Sequence, residues 1–135
     1  PLIIVDFGTA ITFDVVSRKG EYRGGMILPG LGLSLSSLAA HTVLLPQVRL
    51  KPPEEFIGRE TESSILSGVV YGFATLVDGL ITRLRKEQEG TIRVIATGGD
   101  SRFIARFCKK FTDVDRDLTL KGLSLIYREI IARRE

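Results

Sequence analysis

The sequence has one cysteine, one histidine and one methionine in 135 residues. A single cysteine, Cys108, excludes an internal disulfide and leaves no cysteine cluster for a structural metal. It is expected to be a buried or partly buried helix residue. The lone histidine, His41, has no second ligand-type residue close by in sequence and reads as a surface or helix-end residue rather than a ligand or base. No apolar run approaches the length needed to span a membrane, and no signal peptide is visible, so a cytoplasmic location without a membrane partner is expected. Charge of one sign is also scarce. Nineteen Lys and Arg face sixteen Asp and Glu, a net +3, which suits anionic small molecules but gives no nucleic-acid signature. There is no internal repeat and no low-complexity segment. An initiator methionine is missing and the first strand pattern begins at the second residue, so the chain reads as a piece of a longer protein.

What is present is enough for one domain with a real core: 44% hydrophobic and 26% charged residues. The first fourteen residues organise the rest. Leu2 to Val5 are an apolar, β-branched run suited to a strand buried on both faces. The run stops at Asp6, and Gly8, Thr9 and Thr12 follow. A carboxylate at a strand end can hold a hard cation or its water shell. Gly8 permits a tight turn close to a ligand, and Thr9 can offer its N–H and hydroxyl to a phosphate oxygen. An ordinary Asp-x-Gly strand turn fits the same residues. Asp6-Phe7-Gly8 also spells a protein-kinase motif. That reading is excluded, because only five residues precede Asp6 and the chain has no His-Arg-Asp loop.

Further along, Ile11–Val16 reads as a second strand, with Phe13 and Val15 on one face and Thr12, Asp14 and Val16 on the other. Ser17–Gly20 is a turn and Glu21–Leu28 a third strand. The paired Gly24 and Gly25 mark a bulge or a close approach. Pro29-Gly30 opens a helix over Leu31–Ala40. No Gly-Lys-Ser/Thr follows, so the loop is not a Walker A motif. Residues 41–58 form a long connection whose prolines forbid regular helix; Val43, Leu44, Leu45 and Val48 argue that it is packed. Thr61 is the expected N-cap of a helix reaching to about Glu89. Its apolar stripe, centred on Phe73, is wider than one buried face needs, and Gly68 and Gly72 would let another helix approach. A homodimer through this helix is therefore expected. Ile92–Ala96 is a further strand, followed by Thr97-Gly98-Gly99 and a helix over about Ser101–Lys109. A strand, a glycine turn and a helix N-terminus make an anion or nucleotide place in α/β proteins. Phe111–Val114 is a short edge strand. Leu118 to about Arg133 is an amphipathic helix with Leu120, Leu123, Ile126, Tyr127, Ile130 and Ile131 inward and a basic cluster at its end. Three antiparallel strands followed by helix-linked strands predict an α/β, ribonuclease H-like domain with a mixed five-stranded sheet, one half of the actin/Hsp70/sugar-kinase ATPase architecture.

These residues together resemble the C-terminal half of the type III pantothenate kinases. Asp6-Phe-Gly-Thr-Ala-Ile-Thr-Phe-Asp14 is similar to that family's second phosphate motif. Gly24-Gly-Met-Ile-Leu-Pro-Gly30, Gly58-Arg-Glu-Thr61, Thr97-Gly-Gly99 and Asp117-Leu-Thr-Leu-Lys-Gly-Leu123 resemble four further segments in the same order. Each is weak alone, and five in order are specific. Ile11 departs from the usual Thr and removes one hydroxyl.

The resemblance implies ATP-dependent phosphorylation of pantothenate, the first step of coenzyme A synthesis, with Mg2+ and a monovalent cation (K+ or NH4+). Asp6 would hold the cation. Gly8, Thr9, Thr12, Gly98 and Gly99 would contact ATP, and Thr61, Gly24 and Gly25 would contact pantothenate. No catalytic base is assigned in this chain. The family's Gly-Ala-Asp-Arg segment, which carries the base, and its first phosphate motif Asp-x-Gly-Asn-Thr are both absent. Asp14, the nearest other carboxylate, reads as structural. A different class stays open, because Bvg accessory factor relatives share this family and are regulators, which would make the chain an interaction module. A sugar-kinase or Hsp70-type half would share the fold but does not predict Gly24–Gly30 together with Thr61.

Overall fold

The strand β1 (Leu2–Phe7) is central. It pairs antiparallel with β2 (Ala10–Val16), which pairs antiparallel with β3 (Tyr22–Pro29). On its other side β1 pairs in parallel with β4 (Arg93–Thr97), and β4 with β5 (Asp113–Val114). The order across the sheet is β3-β2-β1-β4-β5. Four helices complete the chain: α1 (Leu31–Ala40), α2 (Thr61–Lys86), α3 (Ser101–Ile104) and α4 (Leu118–Ala132). The computed structural model describes residues 1–133; Arg134, part of the basic cluster at the end of the sequence, lies outside them. The expected mixed five-stranded α/β sheet is therefore observed.

Side chains alternate across a strand, and burial here follows that period. Ile3, Val5 and Phe7 of β1 and Ile11, Phe13 and Val15 of β2 are buried. Against them α1 sets Leu31 and Leu35, and α2 sets Leu66, Val70, Ala74, Val77 and Ile81. The opposite face of β1, Leu2, Ile4 and Asp6, is only half-buried. That corrects the expectation of a strand buried on both faces. The apolar residues that the helices bury all belong to the one core, and α4 buries none of its own.

Other differences have local causes. The N-cap of α2 is Glu60, not Thr61, because the Ser63 hydroxyl accepts the Glu60 N–H at 3.1 Å and starts the helix one residue earlier. The helix stops at Lys86, where Glu87 and Gln88 make tighter bonds to Leu84 and Arg85 and Gly90 turns left-handed. The expected nine-residue helix after Ser101 is four residues long. The carboxylate of Asp78 on α2 accepts the N–H groups of Lys109 and Lys110 at 2.9–3.1 Å and draws the chain off the helical path. Cys108 is half-buried in that loop rather than on a helix, and burial pushes its thiol up to about 12. The edge strand shrinks to two residues because the Thr112 hydroxyl accepts from the Val94 N–H and donates to its carbonyl. In the long connection only Val48 is buried, while Val43 and Leu44 are exposed. Thr42 bonds Leu38 and Leu45 on either side of that pair and turns it outward. His41 is an exposed helix-end residue, as expected.

Two larger corrections concern helices. The expected inward stripe of α4 faces solvent throughout, with Leu120, Leu123, Ile126 and Tyr127 each more than half exposed. And α2 is, by length and composition, apolar enough to cross a membrane, against the expectation that no run approaches that length. Its packing accounts for that composition, since the stripe from Leu66 to Ile81 is the wall of the core. Phe73, Ile65, Leu80 and Leu84 also lean on the core, so most of the over-wide stripe is used within the chain.

Phe7 ties the sheet to the loop before β5. Its ring is fully buried and meets Phe111 edge-on at 5.9 Å. Truncating such a residue removes its transfer energy and leaves a cavity. Phe7→Ala should lower unfolding free energy by about 3–5 kcal/mol, read as a shift of the urea midpoint.

Candidate functional site

The carboxyl ends of β1 and β4 lie side by side, which is where open α/β sheets bind ligands. Asp6 pairs across the sheet with Thr12 on one side and Thr97 on the other, so the three share a face. The Thr12 hydroxyl donates to Asp14 Oδ2 at 3.1 Å, and the Thr97 hydroxyl to the Arg116 carbonyl at 3.3 Å. Gly98 closes over this cluster with φ +93°, and a Cβ there would stand 2.3 Å from Asp6 Oδ1 and 2.6 Å from the Phe7 carbonyl oxygen. Only glycine meets both conditions. The following turn is stapled to β1 by the Asp100 N–H, which donates to Phe7 O at 3.1 Å.

On the other side, β1 leaves through Gly8 and Thr9, both exposed. Gly8 N–H donates to Ala10 O at 3.0 Å, and Gly30 N–H to Thr9 O at 2.9 Å. Gly30 begins α1, and a Cβ on it would come within 2.4 Å of Gly8 O. The turn therefore rests directly on the start of α1. Between them is a shallow cavity of about 430 Å³ walled by Gly8, Thr9, Gly32, Leu33, Ser36 and Asp100. Gly32, Leu33, Ser36 and Asp100 were not among the expected site residues. The signals for them were Pro29-Gly30 ahead of an apolar helix and an acid directly after the Gly-Gly turn.

The expected residues thus divide into two groups. Asp6, Gly8, Thr9, Thr12, Gly98 and Gly99 converge at the end of β1. Gly25 stands opposite Asp14, where the β2–β3 register slips and a Cβ would meet the Phe13 carbonyl oxygen at 2.1 Å. Gly24, beside it, has φ +105°. Both are two strands from Asp6. Thr61 is exposed on the first turn of α2 and lines a separate groove of about 620 Å³ with Leu38, Leu45, Arg59, Ile65 and Val69. Thr61 thus lines a different cavity from the one walled by Gly8 and Thr9. Among the described residues no group of three His, Cys, Asp or Glu is spaced to hold a metal.

Burial raises the Asp6 carboxyl above its ordinary 3.8, and the charge of Asp14 adds to the effect. A raised native pKa means that the folded chain binds this proton more tightly than the unfolded chain. Its stabilising contribution is present below 3.8 and is lost as pH rises through the higher folded value. Asp6→Asn should therefore keep the fold and melt no lower than wild type at pH 7, with any advantage vanishing in acid. Calorimetry across pH 3–7 reads this, and a large loss at neutral pH would show that the carboxylate is a structural tie.

A family model described as type III pantothenate kinase matches residues 1–83. A curated protein of that name from Koribacter versatilis is 49% identical over 127 residues, covering 94% of this chain and 46% of the relative. Another from Desulfatibacillum aliphaticivorans is 45% identical, covering 96% of this chain and 51% of the relative. The chain spans about half the length of these relatives. A crystal structure of a conserved Baf family protein from Campylobacter jejuni, described as a transcriptional activator, superposes with a TM-score of 0.65 at 26% identity. It covers 96% of this chain and 58% of that one. With a match across more than half its length, reaching from the carboxylate that ends β1 through most of α2, the chain belongs to the type III pantothenate kinase family.

Proposed function

We propose that this chain is one lobe of a bilobal, ATP-dependent pantothenate kinase, and that the end of β1 is its phosphate-facing side. The observation that carries this reading is that the family match over residues 1–83 takes in Asp6, Gly8, Thr9, Thr12, Gly24, Gly25 and Thr61. The strand order β3-β2-β1-β4-β5, with its antiparallel and parallel halves, supports a ribonuclease H-like domain for the whole of residues 1–135. A regulatory role of the Bvg accessory type is less favoured. The relatives near half identity are named as kinases, while the Baf-named structure stands at 26%.

The chemistry of the donor set fits a cation. The Asp6 carboxylate is held at a strand end beside a second carboxylate, Asp14, with hydroxyls of Thr12 and Thr97 on the same face. A cation there offsets the burial, and after it the charge of Asp14, that raise the Asp6 pKa. Potassium or ammonium would sit on Asp6. Mg2+ binds through few carboxylates and the substrate phosphates, and it would neutralise charge on the transferred group. Thr9 and the start of α1 would face phosphate oxygens across the 430 Å³ cavity, and the Gly98–Gly99 turn would leave room for adenosine. Thr61 would meet pantothenate in its groove. Phosphoryl transfer also needs a positioned base and charge stabilisation on the far side of the γ-phosphate. This sequence has neither the Gly-Ala-Asp-Arg nor the Asp-x-Gly-Asn-Thr segment, and a general base contributes on the order of 10²–10⁴-fold. The kinase acts in the cytoplasm on this reading, without nucleic-acid or membrane partners.

Alone, the chain should make no phosphopantothenate detectable by mass spectrometry with ATP, Mg2+ and K+. Product is expected when the part of the Koribacter versatilis relative outside the match is added, and potassium dependence should disappear in Asp6→Asn. Product from the chain alone would overturn the bilobal reading. Potassium activation that survives Asp6→Asn would overturn the cation assignment.

A homodimer through α2 belongs to the same proposal. Gly68 and Gly72 are exposed with nothing within 4 Å of an added Cβ. With Phe56, Tyr71, Thr75 and Leu76 they border a groove of about 530 Å³. A Cβ at Gly72 has no atom of its own chain within 4 Å, so Gly72→Leu should leave the fold intact and move a micromolar sedimentation profile from dimer to monomer. A monomeric wild type would refute the interface.

A further inference from the structure

A second cavity, of about 730 Å³, lies between the C-terminal half of α2 and the turn that follows α3. It shares no wall residue with the cavity at the end of β1. The turn runs into Thr112, which bonds Val94 near the start of β4, whereas Asp6 is level with Thr97 at its end. The turn therefore lies toward the opposite end of the sheet from Asp6. The cavity walls include four cations, Arg83, Lys86, Lys109 and Lys110, all exposed, and one carboxylate, Asp78. That carboxylate already accepts the N–H groups of Lys109 and Lys110. None of the four cations takes part in an ion pair of the described residues. Basic residues in the last turn of α2 suit its dipole, which accounts for Arg83 and Lys86. The dipole does not account for Lys109 and Lys110, which arrive from another part of the chain. Like charges gathered in this way repel one another unless an anion joins them.

The turn is tied down on several sides. Besides its bonds to Asp78, the Cys108 thiol donates to Ala74 O at 3.9 Å and Arg85 Nη2 to Lys110 O at 3.2 Å. Cations held in advance lower the entropy that binding costs. Further along the cavity, Phe56, Tyr71 and Phe107 form a row of rings that meet edge-on, with centroids 5.0 and 5.6 Å apart. Gly79 lies between Tyr71 and Arg83 on α2 and leaves that stretch of wall without a side chain. Phe56, Tyr71 and Thr75 also border the groove at Gly72, while the four cations lie outside that groove.

We propose that this cavity binds a nucleoside polyphosphate at a site separate from the phosphate-facing edge, with the phosphates among Arg83, Lys86, Lys109 and Lys110 and the base against the rings of Phe56 and Tyr71. A basic wall beside an aromatic one matches a ligand that is charged at one end and flat at the other. The volume falls in the range of small-molecule sites, about 300–1,000 Å³. A long nucleic acid is less suited, since the net charge of the whole chain is only +3. The inference stands apart from the kinase reading, because the cavity contains none of the residues assigned to ATP, pantothenate or the cation.

Titration of the isotope-labelled full chain with ADP, without Mg2+, tests this by NMR. Amides of Arg83, Lys86, Lys109 and Lys110 should shift together and saturate, and the Tyr71 ring protons should move with them. Adenosine and inorganic pyrophosphate should each bind at least about tenfold more weakly than ADP, since one lacks the charge and the other the ring. Lys109→Glu combined with Lys110→Glu keeps both backbone N–H groups for Asp78. It should leave the melting temperature unchanged and weaken ADP at these amides by at least about tenfold. Lys86→Glu, at an exposed helix position, should do the same. No shift at the four amides by about 1 mM ADP overturns the proposal, as do shifts that survive both variants. Pyrophosphate that binds as tightly as ADP overturns the nucleotide assignment. A short single-stranded oligonucleotide that moves the same amides at lower concentration than ADP assigns the surface to nucleic acid instead. Shifts confined to Gly8, Thr9 and Gly98 would support the β1 edge and sink this site.

Discussion

Three stretches of backbone meet at the carboxyl end of β1 more closely than any side chain allows. A Cβ on Gly98 would stand 2.3 Å from the Asp6 carboxylate, and a Cβ on Gly30 2.4 Å from the Gly8 carbonyl oxygen. The close approach lets β4 hand its chain over β1 and lets β3 hand its chain to α1 at one point. The hydrogen bonds from Asp100 to Phe7 and from Gly30 to Thr9 then lock both crossings. The positions of Asp6, Thr9, α1 and α3 all follow from that convergence. It also explains why the site is shallow, since it consists mostly of backbone with few side chains around it.

The charge at this point is set by the same packing. Asp6 is a carboxylate at the end of a buried strand, beside Asp14, with hydroxyls around it. Nothing cationic from the chain answers it among the ion pairs of the described residues, which all lie elsewhere on the surface. Burial and the charge of Asp14 make the ionised form of Asp6 less favourable than it is in water. The energetic logic of the proposed site is that a cation supplies the missing partner.

Much of the fold was legible because its periodicity is local. The alternation in β2, the turn at Gly20 with φ +81°, the helix after Pro29-Gly30 and the glycine turn after β4 each depend on neighbours within a few residues. What misled were side chains that form bonds over long sequence distances. Asp78 draws Lys109 off the helical path from 31 residues away, and Thr112 replaces part of the edge strand by bonding Val94. In the candidate site, Asp6, Thr9 and Gly98 could be named from their motifs. Ser36 and Asp100 had only the local signals of Pro29-Gly30 and of an acid after the Gly-Gly turn, and that the two wall one cavity is decided by the packing of α1 on the end of β1.

By itself the sequence determined the kind of protein this is: an α/β chain whose strand-ending carboxylate, glycine turns and ordered motifs mark one family. Those features depend on backbone dihedrals and on residue types at fixed spacing, and both are local properties. Tertiary structure alone decided which apolar faces are used. The stripes on α2 and α4 look alike in sequence, yet one is the wall of the core and the other lies open. Hydrophobic periodicity says that a helix has an apolar face; only the placement of the sheet says whether this chain has anything to cover it.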